Sequence, residues 1–544
     1  MGLFKKVKKP VIRPVLASAG EISQLRPVFV AKSPPCASGC PNGNQVRDLL
    51  VMIAQAEAYN LTFEQAFERA WNGIVERNPF PAITGRVCPH PCEGACNRNA
   101  KEGAVAFHTV ERMLGDFGLA RNLRLQRTTD ERRSEKVAVV GAGPAGLSCA
   151  YQLVRRGYPV TVFEGLPSPG GLLRYGIPGF RLPREILDAE IDRLLNLGIE
   201  LRCNCRVGKD ISLDQLRREY QTVFVGTGAL QAAPLSVPGE NARNVSGAID
   251  FLRRWNDGEK IEIGEKAVVV GAGATAIDAV QASMRLGARV TMVAAEFTAD
   301  GREIDAIREQ GVRVEVPATP VAILTEDGYA KSVRCAHLIS AAANSRNGWR
   351  RSSKAEFELE ATFVIVATNR RPDLRGFENI TNGTGWFPAD EWGRATMGLL
   401  AGGDNTGLGT VTQAMAQGRI AAETIDRQFR GLEPETPIEP PVVLPSRMRL
   451  DWYQSAPSQL PSETQIQDSH DVQPMGWSEE AIVDEAKRCM SCGMCMDCEV
   501  CWMYCSNSCF VRLPKGEHSR VKLDLCNGCK KCADACPTGY IDLV

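Results

Sequence analysis

Cysteine is the residue whose spacing carries the most chemistry in this chain. Of 20 cysteines in 544 residues, five lie between Cys36 and Cys96 and eleven between Cys489 and Cys536. Clumping at short repeated intervals points to metal. A disulfide framework belongs instead to short secreted chains that are cysteine-dense throughout. Only five histidines are present, so mixed Cys/His zinc sites are disfavoured. Cys526-x-x-Cys529-x-x-Cys532-x-x-x-Cys536-Pro537 is the ligand run of bacterial [4Fe–4S] proteins. Cys495-x-x-Cys498-x-x-Cys501-x-x-x-Cys505 repeats it, with Ser506 in the proline place. Where two such runs occur, the fourth cysteine of each ligates the other cluster. One cluster is therefore expected on Cys495, Cys498, Cys501 and Cys536, and another on Cys526, Cys529, Cys532 and Cys505. Cys489, Cys492 and Cys509 are left over, either as packed thiols or as ligands of something the spacing does not place.

Glycine carries a second chemistry. Residues 139–146 read VVGAGPAG. Gly141 allows a tight turn, Gly143 lets the backbone approach a pyrophosphate, and Gly146, after Ala145, lets helix and strand pack closely. The helix N-terminus then faces the phosphate charge. The following strand, 160–163, ends at Glu164, which suits a carboxylate accepting from a ribose hydroxyl. A second copy runs from 266–270 (KAVVV) into Gly271-AGATA, so Gly273, Ala274 and Thr275 form its turn and Ala276 takes the third glycine place. Two such units, roughly 130 residues apart, predict two nucleotide-binding domains.

These sites need scaffolds. Residues 45–77 read as helices, with Leu49, Leu50, Ile53 and Ala56 on one face and Phe63, Phe67 and Trp71 similarly spaced as core. Residues 104–120 read as a further helix leading to a charged linker at 121–135. Residues 431–475, rich in Pro, Ser and Gln, predict an extended connector, and Ser478 is the expected N-cap of the helix entering the last cysteine module. Cys203 and Cys205, two apart on an expected strand, share a face as ordinary core cysteines. Cys149 lacks a C-x-x-C partner, so it supports no dithiol centre.

Gly170-GLLRYGIP…RLP, which includes Gly171, Leu172 and Arg181, resembles the flavin segment of the glutamate synthase small subunit and its relatives. GGD at 402–404 followed by TVTQAMAQGRIAA resembles the last FAD motif of two-dinucleotide-domain flavoenzymes. The resemblance implies FAD in the first site. It places Asp404 on the ribityl–pyrophosphate part and Thr410, Val411 and Thr412 at a helix N-terminus aimed at the flavin, where the dipole favours an anionic reduced ring. VGTG at 225–228, with Gly228, and VAT at 366–368 resemble the two crossings between domains. Cys36-x-x-x-Cys40-Pro41 and GRVCPHPCEGAC (Cys88, Cys92, Cys96) resemble the helical iron–sulfur domain of that subunit and of dihydropyrimidine dehydrogenase, which carries two clusters. The family's leading C-x-x-C pair is absent here, since 26–35 hold no cysteine. The resemblance then implies one cluster on Cys40, Cys88, Cys92 and Glu111, with Cys96 the alternative fourth ligand. It leaves Cys36 and Cys96 close together as remnants of the other cluster, as free thiols or a reversible disulfide.

The expected fold is α/β. Two nested Rossmann-like dinucleotide-binding domains (131–260 with 365–430 for FAD, 261–364 for NAD(P)H) are preceded by an α-helical iron–sulfur domain (1–130). A linker and short helix (431–485) lead to a two-cluster ferredoxin domain (486–544). The expected function is NAD(P)H:acceptor oxidoreduction with FAD and three [4Fe–4S] clusters. The whole layout resembles the NAD(P)H-dependent subunits of dissimilatory sulfite reductase systems, which implies sulfur metabolism. The rival readings are a glutamate synthase small subunit and a non-catalytic electron-wiring subunit. NADH is expected over NADPH, because the second strand ends in Ala294, Ala295 and Glu296, whereas a 2′-phosphate calls for arginines; Arg302 is the nearest cation. A redox partner is expected near the ferredoxin module, with homodimerisation left open. Lys plus Arg equals Asp plus Glu at 64 each, which argues against nucleic acid. The basic start, Met1-GLFKKVKKP, lacks the apolar run of a signal peptide, and no apolar stretch is long enough to span a membrane. A cytoplasmic protein is expected.

Overall fold

The computed structural model describes residues 23–544, apart from 299–300, 341–348, 353, 355, 382, 384, 436–438, 459–477 and 515–516 and the side chain of Arg302. The basic start and part of the expected connector (436–438 and 459–475) lie outside the described residues.

Val137–Val140 is buried along its whole length, the pattern of a parallel strand covered on both faces. It pairs in parallel with Val160–Phe163 and Thr222–Val225. Glu200–Arg202, Leu399–Ala401 and Arg394–Thr396 extend this into a six-stranded sheet. The register aligns Val140 with Phe163 and Val225, so three strands end at one level and open a crevice above the glycine turn. A second sheet, all parallel, runs Arg313–Glu315, Arg289–Val293, Lys266–Val270, Phe363–Val366, Val245–Gly247. It reaches beyond the expected 261–364 on both sides. Val245–Gly247 is only three residues long and ends in glycine, so it carries no pattern that marks it as a strand. Within this second unit, Ala318–Glu326 and Tyr329–Ser340 form an antiparallel hairpin. Its turn is Asp327-Gly328, both with positive φ, as a two-residue hairpin turn demands. Cys203 and Cys205 correct one expectation: the strand Glu200–Arg202 stops before them, and Asn204 between them is left-handed (φ 54°). They therefore lie in a turn and share no strand face.

The helices Val46–Ala54, Phe63–Val75 and Phe107–Ala120 build the amino-terminal core around Leu49, Ile53, Phe67, Trp71 and Leu114. Ser478 caps Glu479–Lys487 by accepting from Ala481 N–H (3.2 Å), and Ile482 and Ala486 of that helix pack into the same core. The two ends of the chain thus form one unit. Pro27–Phe29 pairs antiparallel with Ile541–Leu543. The buried Lys32 ammonium donates to Gly539 O (2.5 Å) and to Asp542 Oδ1 (2.7 Å). Arg47 donates to Cys492 O (2.9 Å), and Arg488 donates to Gly103 O (2.9 Å) and Ala104 O (2.7 Å). A chain written as first module and last module folds with the two clasped together.

Candidate functional site

Gly141 has φ +98°, and a Cβ there would lie 2.5 Å from Gly226 O. The turn therefore needs glycine to bring the first strand's end against the neighbouring crossing. Gly143 is the N-cap of Pro144–Arg155. A Cβ on Gly146 would meet Gly141 O at 1.9 Å and one on Gly418 would meet Ala145 O at 2.0 Å. The helices Pro144–Arg155 and Val411–Phe429 consequently pack backbone to backbone. Glu164 ends its strand buried. Its Oε2 accepts from Ala142 N–H (2.7 Å) and its Oε1 from Leu166 N–H (2.8 Å). Burial raises its pKa against those hydrogen bonds, and each oxygen keeps a further lone pair for a hydroxyl donor. Asp404 pairs with Arg370 (2.9 Å) and accepts from Gly409 N–H (3.0 Å). Thr410 opens the helix Val411–Phe429 with a capping box: its Oγ1 accepts from Gln413 N–H (3.3 Å) and its N–H donates to Gln413 Oε1 (2.7 Å).

Gly141, Gly143, Ala145, Glu164, Gly171, Leu172, Gly228, Asp404, Thr410 and Val411 line one cavity of about 620 Å³, within the range of cofactor sites. Thr412 is buried just behind it. The cavity wall also holds Thr227, whose Oγ1 is buried without a hydrogen-bond partner. An orphan of that kind fits a bound polar group. The glycine cradle, the carboxylate at the strand end and this hydroxyl together fit FAD.

The second glycine turn repeats the logic. Gly271 has φ +132° and Gly273 caps Ala274–Arg285. Ala274 and Thr275 line the same cavity as the first turn. Glu296 is exposed just past the strand Arg289–Val293. The Arg302 side chain lies outside the described residues. Arg181, which the sequence assigned to the flavin segment, lines the cavity but reaches across to Asp278 (3.0 Å) and Glu303 (3.1 Å) of the second domain. Asp278 is buried, which raises its pKa, and Arg181 opposes that rise.

Cys40, Cys88 and Cys92 converge with Glu111 from four separate segments. Burial raises all three thiols, and the Glu111 carboxylate beside them adds to the rise. Glu111 is buried and held by Asn78 Nδ2 (2.9 Å), with His90 Nε2 at 3.5 Å. Three thiols and a carboxylate buried together fit a [4Fe–4S] cluster with one oxygen ligand. Cys88 sits on the flavin cavity wall with its sulfur 3.8 Å from Thr412 Oγ1. At the other end, Cys495, Cys498, Cys501 and Cys536 line one cavity, while Cys526, Cys529, Cys532 and Cys505 line another. The exchanged fourth cysteine of each run is therefore beside the set to which spacing assigned it. Cys509 lines the second of these cavities, and its N–H donates to Cys505 Sγ (3.3 Å). Spacing could not find Arg370 or Asn78, which sit in no motif, and although Thr227 lies within VGTG and His90 within GRVCPHPCEGAC, neither motif gave them a role.

The pyridine nucleotide-disulphide oxidoreductase family model matches residues 135–418. Dihydropyrimidine dehydrogenase domain II with its 4Fe-4S cluster matches 25–123, and a 4Fe-4S binding domain matches 520–541. The chain is 35% identical over 354 residues to the NADPH-Fe(3+) oxidoreductase subunit beta of Geobacter sulfurreducens, covering 62% of this chain and 51% of that protein. It thus spans about half the length of that relative. It is 31% identical to the NAD-dependent dihydropyrimidine dehydrogenase subunit PreT of Salmonella typhimurium, covering 76% of this chain and 95% of PreT. It is 33% identical to the glutamate synthase (NADPH) small chain of Azospirillum brasilense, covering 72% and 86% respectively. With two nested nucleotide folds sharing one cavity and iron–sulfur modules clasped beside them, this chain belongs to the pyridine nucleotide-disulphide oxidoreductase family.

Proposed function

We propose that the chain is an NAD(P)H-dependent flavin iron–sulfur oxidoreductase that passes electrons between a nicotinamide nucleotide and a partner protein. One observation carries this reading: a single cavity is walled by the first glycine turn, by the second glycine turn and by Cys88. Bound FAD would supply the exchange between a two-electron hydride donor and one-electron clusters. The protein's part is positional. The N-terminus of Pro144–Arg155 would face the FAD pyrophosphate and Glu164 would take the ribose. Asp404, oriented by Arg370, would hold the ribityl side. The N-terminus of Val411–Phe429 would turn its positive dipole end toward the flavin. Ala274 and Thr275 open the nicotinamide nucleotide's helix into the same space, and Arg181 ties the two domains across it. The clusters on Cys40, Cys88, Cys92 and Glu111 and on the two ferredoxin sets lead away from it. Trp502, Met503 and Tyr504 are exposed between Cys501 and Cys505 and give a redox partner an apolar footing. The acceptor we propose is a sulfite-reductase-type enzyme.

The test is anaerobic mixing of the full-length holoprotein with nucleotide. Bleaching of the flavin absorbance without any partner supports the reading. A flavin that neither nucleotide bleaches overturns it and leaves a wiring subunit. NADH is the proposed donor, because the exposed Glu296 repels a 2′-phosphate and suits a 2′-hydroxyl. Glu296→Arg should shift the kcat/KM ratio toward NADPH by about 10-fold, which corresponds to about 1.4 kcal/mol, the scale of one charged hydrogen bond. A wild-type preference for NADPH would sink the assignment.

A further inference from the structure

Four cysteines have no role in the reading so far, or only an alternative one, and the fold gathers them. Cys36 lies in the helix Pro35–Gly39, and Cys96 precedes the turn Asn97–Ala100. Cys489 and Cys492 follow the helix Glu479–Lys487, some 390 residues further along. All four line one small cavity between the amino-terminal helices and the start of the ferredoxin module. Burial raises the Cys36 thiol first, and the next three contributions come from Cys489, Cys96 and Cys492. Cys489 and Cys492 each respond to Cys96 in turn. None of the four is in a disulfide.

We propose that Cys36, Cys96, Cys489 and Cys492 are the ligands of a fourth [4Fe–4S] cluster, a composite site whose C-x-x-C pair is supplied by the far end of the chain. The inference rests on reading the chain as an electron carrier and adds a site to it. Three observations support a cluster here. Four thiols without another assigned role line one cavity, beside Cys92 of the flavin-side set, and buried thiols gathered at one point are costly to ionise without a metal. Spacing comes second. Among the described residues, the only group of three or more candidate ligand atoms within 4.8 Å of one another is Cys495, Asp497 and His518. A tetrahedral zinc at about 2.3 Å from each sulfur would hold the sulfurs at about 3.8 Å from one another. These four are more widely spread, as are the ferredoxin sets, whose sequence runs specify clusters. The third observation is the framing. Arg47 donates to Cys492 O (2.9 Å) and Lys32 N–H to Gly493 O (3.1 Å), so the amino-terminal helices hold the carboxy-terminal ligand loop directly.

The position is as informative as the ligands. Cys92, a ligand of the flavin-side site, also lines the composite cavity. Tyr453, bonded through its hydroxyl to Met490 O (2.7 Å), has Cys492 and Cys489 of the composite set and Cys498 and Cys536 of the first ferredoxin set all in its electrostatic surroundings. The composite site therefore lies between the cluster beside the flavin and the first ferredoxin cluster. It joins two sets that would otherwise be separate.

The test is iron and acid-labile sulfide analysis of full-length protein reconstituted anaerobically, with EPR after dithionite reduction. The wild type should hold about 16 iron atoms per chain, four for each [4Fe–4S] cluster. The double variant Cys489→Ser/Cys492→Ser should hold about 12, as should Cys36→Ser/Cys96→Ser, each with the same cluster signal missing. Nucleotide-driven flavin bleaching, read in parallel, reports on the oxidoreductase reading alone. A wild type with about 12 iron atoms, unchanged by either double variant, overturns the composite cluster while leaving that reading intact. One zinc and no iron lost in the variants also overturns it. Because the wild-type count needs no variant to fold, the proposal is decided even if the substituted proteins aggregate.

Discussion

The ferredoxin sets and the composite set are built from the same residue, and they differ in how far apart their ligands lie in sequence. The ferredoxin ligands are spaced two and three residues apart, and only the fourth of each comes from the neighbouring run. The composite ligands come as Cys36, as Cys96 and as a pair near 490, and only the clasp between the chain ends unites them. A local motif survives rearrangement of everything around it. A composite site depends on an interface, here the bonds from Lys32, Arg47, Arg98 and Arg488.

That difference predicts where damage spreads. Arg488→Ala should have the largest effect. Its guanidinium is buried, pairs with Glu485 and donates to Gly103 O, Ala104 O and Ala456 O. Removing one partner of a buried pair costs about 3–5 kcal/mol, and Cys489 is the next residue. The apparent unfolding temperature should fall, and about four iron atoms should be lost while both ferredoxin signals persist. Loss of the ferredoxin signals, with the composite one retained, would reverse the comparison. A truncation near residue 485 strips partners from Lys32, Arg47 and Arg98, so it should damage the amino-terminal module together with the ferredoxin module it removes.

Glu111→Ala should act at an intermediate level. The proposed flavin-side site would take its ligands from Cys40, Cys88, Cys92 and Glu111, all before residue 112, yet from four segments. Its signal should vanish from the reduced spectrum, and Glu111→Cys should restore a cluster there. Cys96→Ser separates the alternatives. If Cys96 were the fourth ligand of the flavin-side site, that variant would remove the flavin-side signal and Glu111→Ala would leave it. The geometry favours Glu111, because its carboxylate neighbours Cys40, Cys88 and Cys92, whereas Cys96 faces Cys36, Cys489 and Cys492.

The same contrast explains what the sequence made legible. Both glycine turns, their strands and the helix capped by Ser478 were readable because each is a local pattern with a local cause. The ferredoxin sets were readable because ligand geometry fixes spacing. The strand Val245–Gly247 was not, since three residues ending in glycine carry no periodicity and only pairing with Phe363–Val366 makes them a strand. Arg181 was legible as part of the flavin segment and lines that cavity, but its bonds to Asp278 and Glu303, about 100 residues and more away, were not legible. Cys489 and Cys492 could be noted and not placed, because nothing near them announces Cys36 and Cys96. Long-range pairing is invisible to spacing.

Cys509→Ser should have the smallest effect, and it tests the local side of the comparison. Five thiols line the last cavity, namely Cys505, Cys509, Cys526, Cys529 and Cys532, and a cubane takes four. Run spacing assigns the fourth place to Cys505, which follows Cys501 after three intervening residues and ligates the other run's cluster. The backbone N–H of Cys509 donates to Cys505 Sγ (3.3 Å), which is the bond expected toward a ligand sulfur. Serine keeps that N–H and nearly the same volume. Iron content should therefore stay at the wild-type level, with only a slight change in the reduced-cluster spectrum, whereas Cys505→Ser should remove about four iron atoms. Loss of iron on Cys509→Ser, with none on Cys505→Ser, would show that the cavity and not the spacing chooses the ligand. The local motif would then be as dependent on its surroundings as the composite one.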